Sequence, residues 1–234
     1  MNPEASATPG RHAVILCHPD PTSFNHSIAE AYCAVVRASG QEVILRDLYA
    51  PGFDPVLKAA ERPTAADFVL SPDVRQELKA IGGSAVFVLI YPIWFGTPPA
   101  MLKGYLERVL GSGVTPEAVQ HHVPSELLGN KRLQSFSTSA ANSVWLNGQG
   151  QEQALSTVFD QYVLHAFGMR AQAHLRIPHV TADLSDRFAR QYLRDVEDRA
   201  RRICAELVYG DEALRLNPGL ARTLNAEHCR PLTP

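Results

Sequence analysis

The sequence predicts an α/β protein in which a five-stranded parallel sheet carries helices on both faces. Short apolar runs alternate with helical patterns five times along the 234 residues. The run 85–91 is apolar without alternation, which is typical of a strand covered on both sides. No linker divides the chain, so we expect a single domain over 1–234, with a core of about 11–210 and a tail at 211–234.

Each element has its own signal in the sequence. Apolar runs predict strands, and stripes of apolar residues at helical spacing predict the helices between them. Two long stretches, 47–72 and 111–131, show no clear period and are expected to be irregular. The expected strands are 12–17, 42–46, 85–91, 132–138 and 171–177, and the expected helices are about 24–40, 72–81, 99–110, 150–167 and 185–209.

Composition limits the function. The chain has 22 basic and 24 acidic residues, which argues against a nucleic-acid-binding surface. Its longest apolar run, 85–95, is too short to span a bilayer. No export signal is visible, so we expect a cytoplasmic protein that is not inserted in a membrane. The four cysteines are far apart, and His121 and His122 lack further spaced ligands, so we expect neither a disulfide nor a metal site.

Ligands of doubly wound sheets bind at the carboxyl ends of strands, which directs attention to the loops after strands one, three and four. The first loop contains neither a dinucleotide fingerprint nor a P-loop. It enters a helix through Ser23, Phe24 and Asn25, and a helix N-terminus attracts phosphate. His18 adds a potential donor. Alternatively, Ser23 or Asn25 only caps the helix, and His18 is a turn residue.

The third loop contains Trp94 and Phe95, which either pack as ordinary core or form a wall for a flat aromatic ligand. Gly96 and Thr97 offer backbone donors to such a ligand. The fourth loop, 138–142, is small and polar, so a ligand can approach its backbone closely. Three such loops at one sheet edge indicate a ligand site.

Two motifs resemble the NAD(P)H:quinone oxidoreductase family. They are His18-Pro-x-x-x-Ser23-Phe24-Asn25 and Tyr91-Pro-Ile-Trp-Phe-Gly96, the latter followed by Met101-Leu-Lys-Gly-Tyr105. The resemblance is specific over about 12–110 and weaker over 130–205. It implies a flavodoxin-like fold with strand order 2-1-3-4-5. It also implies a helix and dimer-interface role for Lys103, Glu107 and Arg108.

The resemblance further implies a flavin-dependent enzyme. NAD(P)H is the expected co-substrate, and two electrons pass as hydride through the flavin to a quinone-like acceptor in a ping-pong mechanism. The flavin is expected to be FAD, with FMN as the alternative. The family's flavin-binding segments map onto His18, Ser23, Phe24, Asn25, Pro92, Ile93, Trp94, Phe95, Gly96, Thr138, Ser139, Ala140 and Ala141.

The chain also departs from this family. Mammalian members carry a Tyr and a His after the fourth strand, whereas this chain has Ser143-Val-Trp145 and later Gln149. Trp145 can wall a pocket but cannot act as a phenolic acid, so no catalytic side chain is assigned.

The resemblance leaves several readings open. There are four alternatives to a quinone reductase. The first two are a regulatory flavoprotein accessory to a potassium-efflux type transporter and an azo- or nitroreductase. The others are a one-electron flavodoxin and a flavin-free binding protein. A homodimer is expected, with the loops 47–72 and 111–131 available to complete the partner's site. These loops and the tail are where substrate and partner specificity is expected.

Overall fold

The computed structural model describes residues 10–50, 52–171 and 174–210, so the tail at 211–234 lies outside the described residues. Its sheet is parallel throughout, with strand order β2-β1-β3-β4-β5, and a sixth strand pairs with β4 beyond the end of β5. The predicted fold class and strand order are confirmed. The strands are β1 (Arg11–Leu16), β2 (Glu42–Asp47), β3 (Val86–Pro92), β4 (Arg132–Thr138), β5 (Arg170–Ala171) and β6 (Leu175–Ile177).

Helices connect the strands on both faces of the sheet. Two of them contain π-helical segments, Leu106–Leu110 after α3 and Ser156–Gln161 between α6 and α7, and a 3-10 turn lies at Ala59–Glu61. Among the described helices, none is long and apolar enough to cross a membrane. The helices are α1 (Phe24–Ala38), α2 (Pro72–Ile81), α3 (Ala100–Tyr105), α4 (Pro116–Gln120), α5 (Ser143–Gly148), α6 (Gln151–Leu155), α7 (Tyr162–Phe167) and α8 (Asp186–Tyr209).

The structure corrects three expectations. The strand expected at 171–177 consists of the two short strands β5 and β6. The stretch 111–131 contains α4, which begins with a proline after the N-cap Thr115. An unpredicted helix, α5, precedes the one expected at 150–167, because the Asn142 side chain accepts a hydrogen bond from the Trp145 amide at 2.8 Å and starts a new helix there.

Both faces of β3 are buried, which explains its unbroken apolar run. Phe87 and Leu89 belong to one core cluster, whereas Val88 and Ile90 belong to the other cluster, on the opposite face. The second cluster packs against α1 and α8, and the first packs against α3 and α7. The sheet is therefore rigid along its centre, and its carboxyl edge is a stable platform.

A buried ion pair fixes the segment 47–72 to this platform. Arg108 is 1% exposed, and its guanidinium donates to both carboxylate oxygens of Glu61, at 2.8 and 2.6 Å. It also donates to Asp73 at 2.9 Å. Arg108 was expected at a dimer interface, but it lies in the interior of its own chain, because the carboxylates of the long loop fold over it.

Replacing Arg108 leaves the Glu61 carboxylate buried without its partner. We expect Arg108→Met to lower the free energy of unfolding by about 3–5 kcal/mol, measured by urea unfolding. The matched control is Arg190→Met, which removes an exposed pair with Asp186 and is expected to change stability by less than about 1 kcal/mol. A loss no larger for Arg108→Met than for the control would contradict the buried pair.

A buried histidine predicts a pH dependence of stability. His12 is enclosed between the Tyr32 hydroxyl at 2.9 Å and the Gln41 side-chain oxygen at 2.8 Å. Burial lowers its pKa from 6.5 to about 4, against the opposing effect of the hydrogen bond that the ring donates to the Gln41 oxygen. Between about pH 6.5 and about pH 4 the unfolded chain therefore binds a proton that the folded chain does not bind. The free energy of unfolding falls as the pH falls through this range.

We expect the free energy of unfolding to drop by at most about 3 kcal/mol between about pH 7 and about pH 4 because of this group. His12→Gln is expected to flatten that part of the profile, whereas His121→Gln, at an exposed position, retains it. Equal pH profiles for both variants in urea unfolding would show that His12 is not the titrating group.

Candidate functional site

The loops after β1, β3 and β4 meet in one cleft of about 550 Å³. Because parallel strands end at the same edge of the sheet, the three sequence-predicted segments converge there. Most of the predicted residues line this cleft. They are His18, Ser23, Phe24, Asn25, Pro92, Ile93, Trp94, Thr138, Ser139 and Ala140.

Four further residues named from the sequence do not line the cleft. Phe95 is fully exposed at the tip of its loop, and Gly96 faces a second cavity instead. Ala141 lies beyond the lining residues, and Trp145 is mostly exposed on α5. Of the two adjacent aromatic residues of the third loop, Trp94 therefore lines the cleft, and Phe95 projects away from it.

One wall of the cleft was missed by sequence reasoning. It is formed by the segment after β6 and the first turn of α8. The only signal in the sequence is the helix start at Ser185, whose side chain accepts from the Phe188 amide. The lining residues contributed by this wall are Val180, Thr181, Ala182, Leu184 and Ala189.

The N-terminus of α1 opens into the cleft. Ser23 is the N-cap, but its hydroxyl bonds the His26 ring at 2.9 Å and makes no side-chain capping bond. Ser23 therefore occupies the N-cap position, but its side chain does not cap the helix. No Lys or Arg is among the residues that line the cleft in the described part of the chain, so an anion bound there depends on N–H donors and on the helix dipole.

Asn25 connects α1 to the end of β4. Its amide nitrogen donates to the Thr138 hydroxyl at 2.9 Å, and the residue is 2% exposed. Its amide oxygen is buried without a partner among the described residues. Such an atom is destabilising unless a water molecule or a ligand donates to it, and the hydroxyl groups of a ligand in the cleft are able to do so.

His18 supplies a neutral donor. Its Nδ1 lies 3.1 Å from the Asp20 amide nitrogen and 3.3 Å from the Asp20 carbonyl oxygen, and the shorter bond, from the amide, goes with a ring that carries its proton on Nε2. Burial is the main cause that lowers the pKa of His18, so the ring is uncharged at neutral pH. Its ring meets the Trp94 ring edge-on with centroids 5.6 Å apart, which joins the first loop to the third.

The loop after β3 forms a two-residue turn. Trp94 and Thr97 exchange backbone hydrogen bonds at 3.0 and 3.1 Å, and both central residues have positive φ, 50° at Phe95 and 83° at Gly96. This is the pattern of a type I′ turn. The Thr97 amide was expected to donate to a ligand, but the turn already uses it.

A second cavity of about 530 Å³ lies beside this turn and is mainly apolar. It is separate from the cleft, yet it shares the loop after β3 with it. Sequence reasoning did not find it, because its lining comes from two segments that are far apart in the chain, 96–103 and 151–159. Its lining residues are Gly96, Thr97, Pro98, Ala100, Lys103, Gln151, Ala154, Leu155, Val158 and Phe159.

These features define a class of protein. A parallel sheet of order 2-1-3-4-5 with a cleft at its carboxyl edge, into which the N-terminus of α1 opens, is the flavodoxin-like arrangement. The chain belongs to the family described as having a flavodoxin-like fold, which matches residues 11–200.

Relatives confirm the resemblance stated from the motifs. The chain is 35% identical over 132 residues to an uncharacterized NAD(P)H oxidoreductase of Haemophilus influenzae, covering 56% of this chain and 65% of that protein. It is 29% identical over 153 residues to NAD(P)H dehydrogenase (quinone) 1 of Rattus norvegicus, covering 58% and 56% of the two chains. The chain thus spans less than two thirds of the length of these relatives.

Two solved structures share the fold. An NAD(P)H:quinone oxidoreductase from Methanothermobacter marburgensis superposes with a TM-score of 0.69 at 19% identity, covering 83% of this chain and 96% of that one. An FMN-dependent NADH-azoreductase from Bacillus anthracis, solved with FMN, gives a TM-score of 0.58 at 17% identity, covering 83% and 99%.

The positive φ of Phe95 predicts that this turn is strained. An aromatic residue in this conformation is strained by about 1–2 kcal/mol, whereas Asn tolerates it. We expect Phe95→Asn to raise the free energy of unfolding by about 1 kcal/mol in urea unfolding. Phe188→Asn, at an exposed phenylalanine of a regular helix, is expected to change it by less than about 0.5 kcal/mol. A loss of stability for Phe95→Asn would argue against strain at this turn.

Proposed function

We propose that the cleft binds a flavin nucleotide non-covalently. The observation that carries the proposal is the convergence of the three loops on one cleft that contains a helix N-terminus and the unpartnered Asn25 oxygen. The N-terminus of α1 and the neutral His18 would hold the phosphate. Trp94 and the segment 92–93 would lie along the ring, with the segment 138–141 as the third contact.

We propose FAD rather than FMN. The cleft does not end at the N-terminus of α1 but continues along the wall 180–189. This wall offers Val180 and Leu184 as apolar contacts for a second, adenosine half of the ligand. A mononucleotide would leave this part of the cleft unused.

We propose that the chain is an NAD(P)H oxidoreductase that reduces quinones or related acceptors by a ping-pong mechanism in the cytoplasm. The flavin, when bound, supplies the capacity to accept and donate hydride. The residues of the chain bind and orient it and limit access of water. The named relatives support this reaction, and the apolar cavity beside the turn suits a planar acceptor such as a quinone.

We propose that the protein acts as a homodimer. Large apolar side chains are exposed on the segments around the apolar cavity, which is common where a second chain covers a surface. Phe95 belongs to the turn, Trp145 to α5 and Val158 to the π-helical segment. Light scattering of the purified chain tests this, and a monomer that still turns over quinone would contradict it.

Purified protein is expected to be yellow and to release FAD on heating, identified by chromatography against FMN. It is also expected to oxidise NADH or NADPH in the presence of quinones, with azo dyes and nitroaromatics tested in parallel. Colourless protein that takes up neither FAD nor FMN would overturn the proposed function.

Asn25 tests the location of the site. Asn25→Asp places a carboxylate beside the proposed phosphate position and removes the amide donor to Thr138. We expect the affinity of the apoprotein for FAD to fall at least about tenfold, measured by flavin fluorescence quenching. Asn147→Asp adds the same charge at an exposed position outside the cleft and should leave the affinity unchanged. Equal affinities for both variants would place the flavin elsewhere.

A further inference from the structure

A chain of hydrogen bonds lies beneath the cleft, on the face of the sheet opposite to Asn25. The Ser137 hydroxyl bonds the His174 Nε2 at 2.8 Å, and the His174 Nδ1 bonds the Asp160 carboxylate at 2.9 Å. Arg176 donates to the same Asp160 oxygen at 2.6 Å. These residues come from β4, the loop before β6, the π-helical segment and β6, so no local motif in the sequence contains them.

The donors and acceptors fix where the protons lie. Because a carboxylate accepts hydrogen bonds, Asp160 takes its bond from the protonated Nδ1 of His174. In the neutral ring Nε2 is then unprotonated and accepts from the Ser137 hydroxyl. Arg176 also pairs with Asp160, at 2.6 Å. Among the described residues, the hydrogen-bond partner of His174 Nε2 is therefore the Ser137 oxygen.

The hydrogen bonds from Asp160 through His174 to Ser137 end at a small cavity. Ser137 and Arg176 line a space of about 20 Å³, which is large enough for one water molecule. The Arg176 Nε lies buried without a partner among the described residues, so it is available to a group in that space. Ile93 and Ser139 line both this cavity and the cleft, so the cavity adjoins the proposed flavin site.

We propose that Ser137, His174 and Asp160 form a proton relay that supplies the ligand site through this cavity. The proposal rests on the proposed function. Reduction of a quinone by NAD(P)H needs two electrons and two protons. The hydride carries both electrons and one proton, and the second proton must come from elsewhere. In the relay, solvent first protonates the Nε2 of His174. The imidazolium then gives this proton to the Ser137 oxygen while Ser137 passes its own proton on through the cavity, and His174 returns to the neutral ring.

The surroundings of His174 support this assignment. Asp160 faces it from the π-helical segment and Arg176 from β6, while Tyr91 faces it from β3 with ring centroids 6.1 Å apart. Burial is the main cause that raises the pKa of Tyr91 well above its usual value, and the nearby Asp160 charge adds to it. Tyr91 therefore stays neutral and does not compete for the proton. Glu152 is the other ionisable group that lines the cavity.

The test separates the two half-reactions of the flavin-loaded protein by stopped flow. Reduction by NAD(P)H is followed first, and reoxidation by a benzoquinone is then followed in H2O and in D2O over a range of pH. The variants are Ser137→Ala and His174→Ala. The matched control is Ser135→Ala, which removes a buried hydroxyl two residues earlier on the same face of β4.

We expect both relay variants to slow reoxidation at least about tenfold and to change its solvent isotope effect, while reduction by NAD(P)H stays within about twofold. Imidazole added to His174→Ala is expected to restore reoxidation, and Ser135→Ala is expected to behave as the wild type. A structural role alone would lower the melting temperature without changing the isotope effect, and that result would overturn the relay.

A second readout does not depend on turnover. In ¹⁵N NMR spectra of the histidine side chains we expect His174 to carry its proton on Nδ1. Ser137→Ala should shift the Nε2 signal and leave the Nδ1 proton in place. A ring protonated only on Nε2 would overturn the relay even in an active enzyme. A wild-type chain that NAD(P)H does not reduce would instead overturn the proposed function, and the relay with it.

Discussion

The parallel pairing of β3 with β1 and β4 is the constraint on which the rest of the structure depends. Its register aligns Leu16 with Ile90 and Ile90 with Phe136, so the three strands end at nearly the same level. Backbone bonds from Cys17 to Ile90 and from Ile93 to Thr138 continue this alignment into the loops. Loops that differ in sequence and are far apart along the chain are therefore brought to one edge, where they form the cleft.

Successive side chains of β4 point to opposite faces of the sheet, so the two faces have different roles at this edge. Thr138 lies on the side of α1 and bonds Asn25, which places a helix N-terminus against the cleft. Ser137 points to the other side and bonds His174, which places ionisable groups just below the same edge. One strand thus supports both the proposed binding of an anionic ligand and the proposed movement of a proton, and a shift of register by one residue would exchange the two.

Much of this arrangement was predictable from the sequence. The helix expected at 72–81 and the strand expected at 132–138 have the observed bounds. Pro72 and Gly82 delimit the helix, and the strand begins after the irregular stretch 111–131. Most of the proposed flavin contacts line the cleft, because they follow directly from the ends of strands.

The remainder depends on tertiary contacts that leave no local signal. The wall 180–189 meets the cleft only because α8 packs against α1. Ser137 and His174 are 37 positions apart, and β6 must pair with β4 before they meet. Arg108 resembled a surface residue on a helix, and only the folded loop that carries Glu61 encloses it. Phe95 likewise looked like a ligand contact until the turn directed it outward.

The central claim is that this edge of the sheet holds a flavin by its phosphate. Calorimetric titration of the flavin-free chain with FAD, FMN and riboflavin tests it most directly. If the N-terminus of α1 binds the phosphate and the wall 180–189 binds the adenosine half, FAD binds tighter than FMN, and riboflavin binds at least about tenfold more weakly than FMN. Equal affinities for riboflavin and FMN, or no binding of any flavin, would contradict the account.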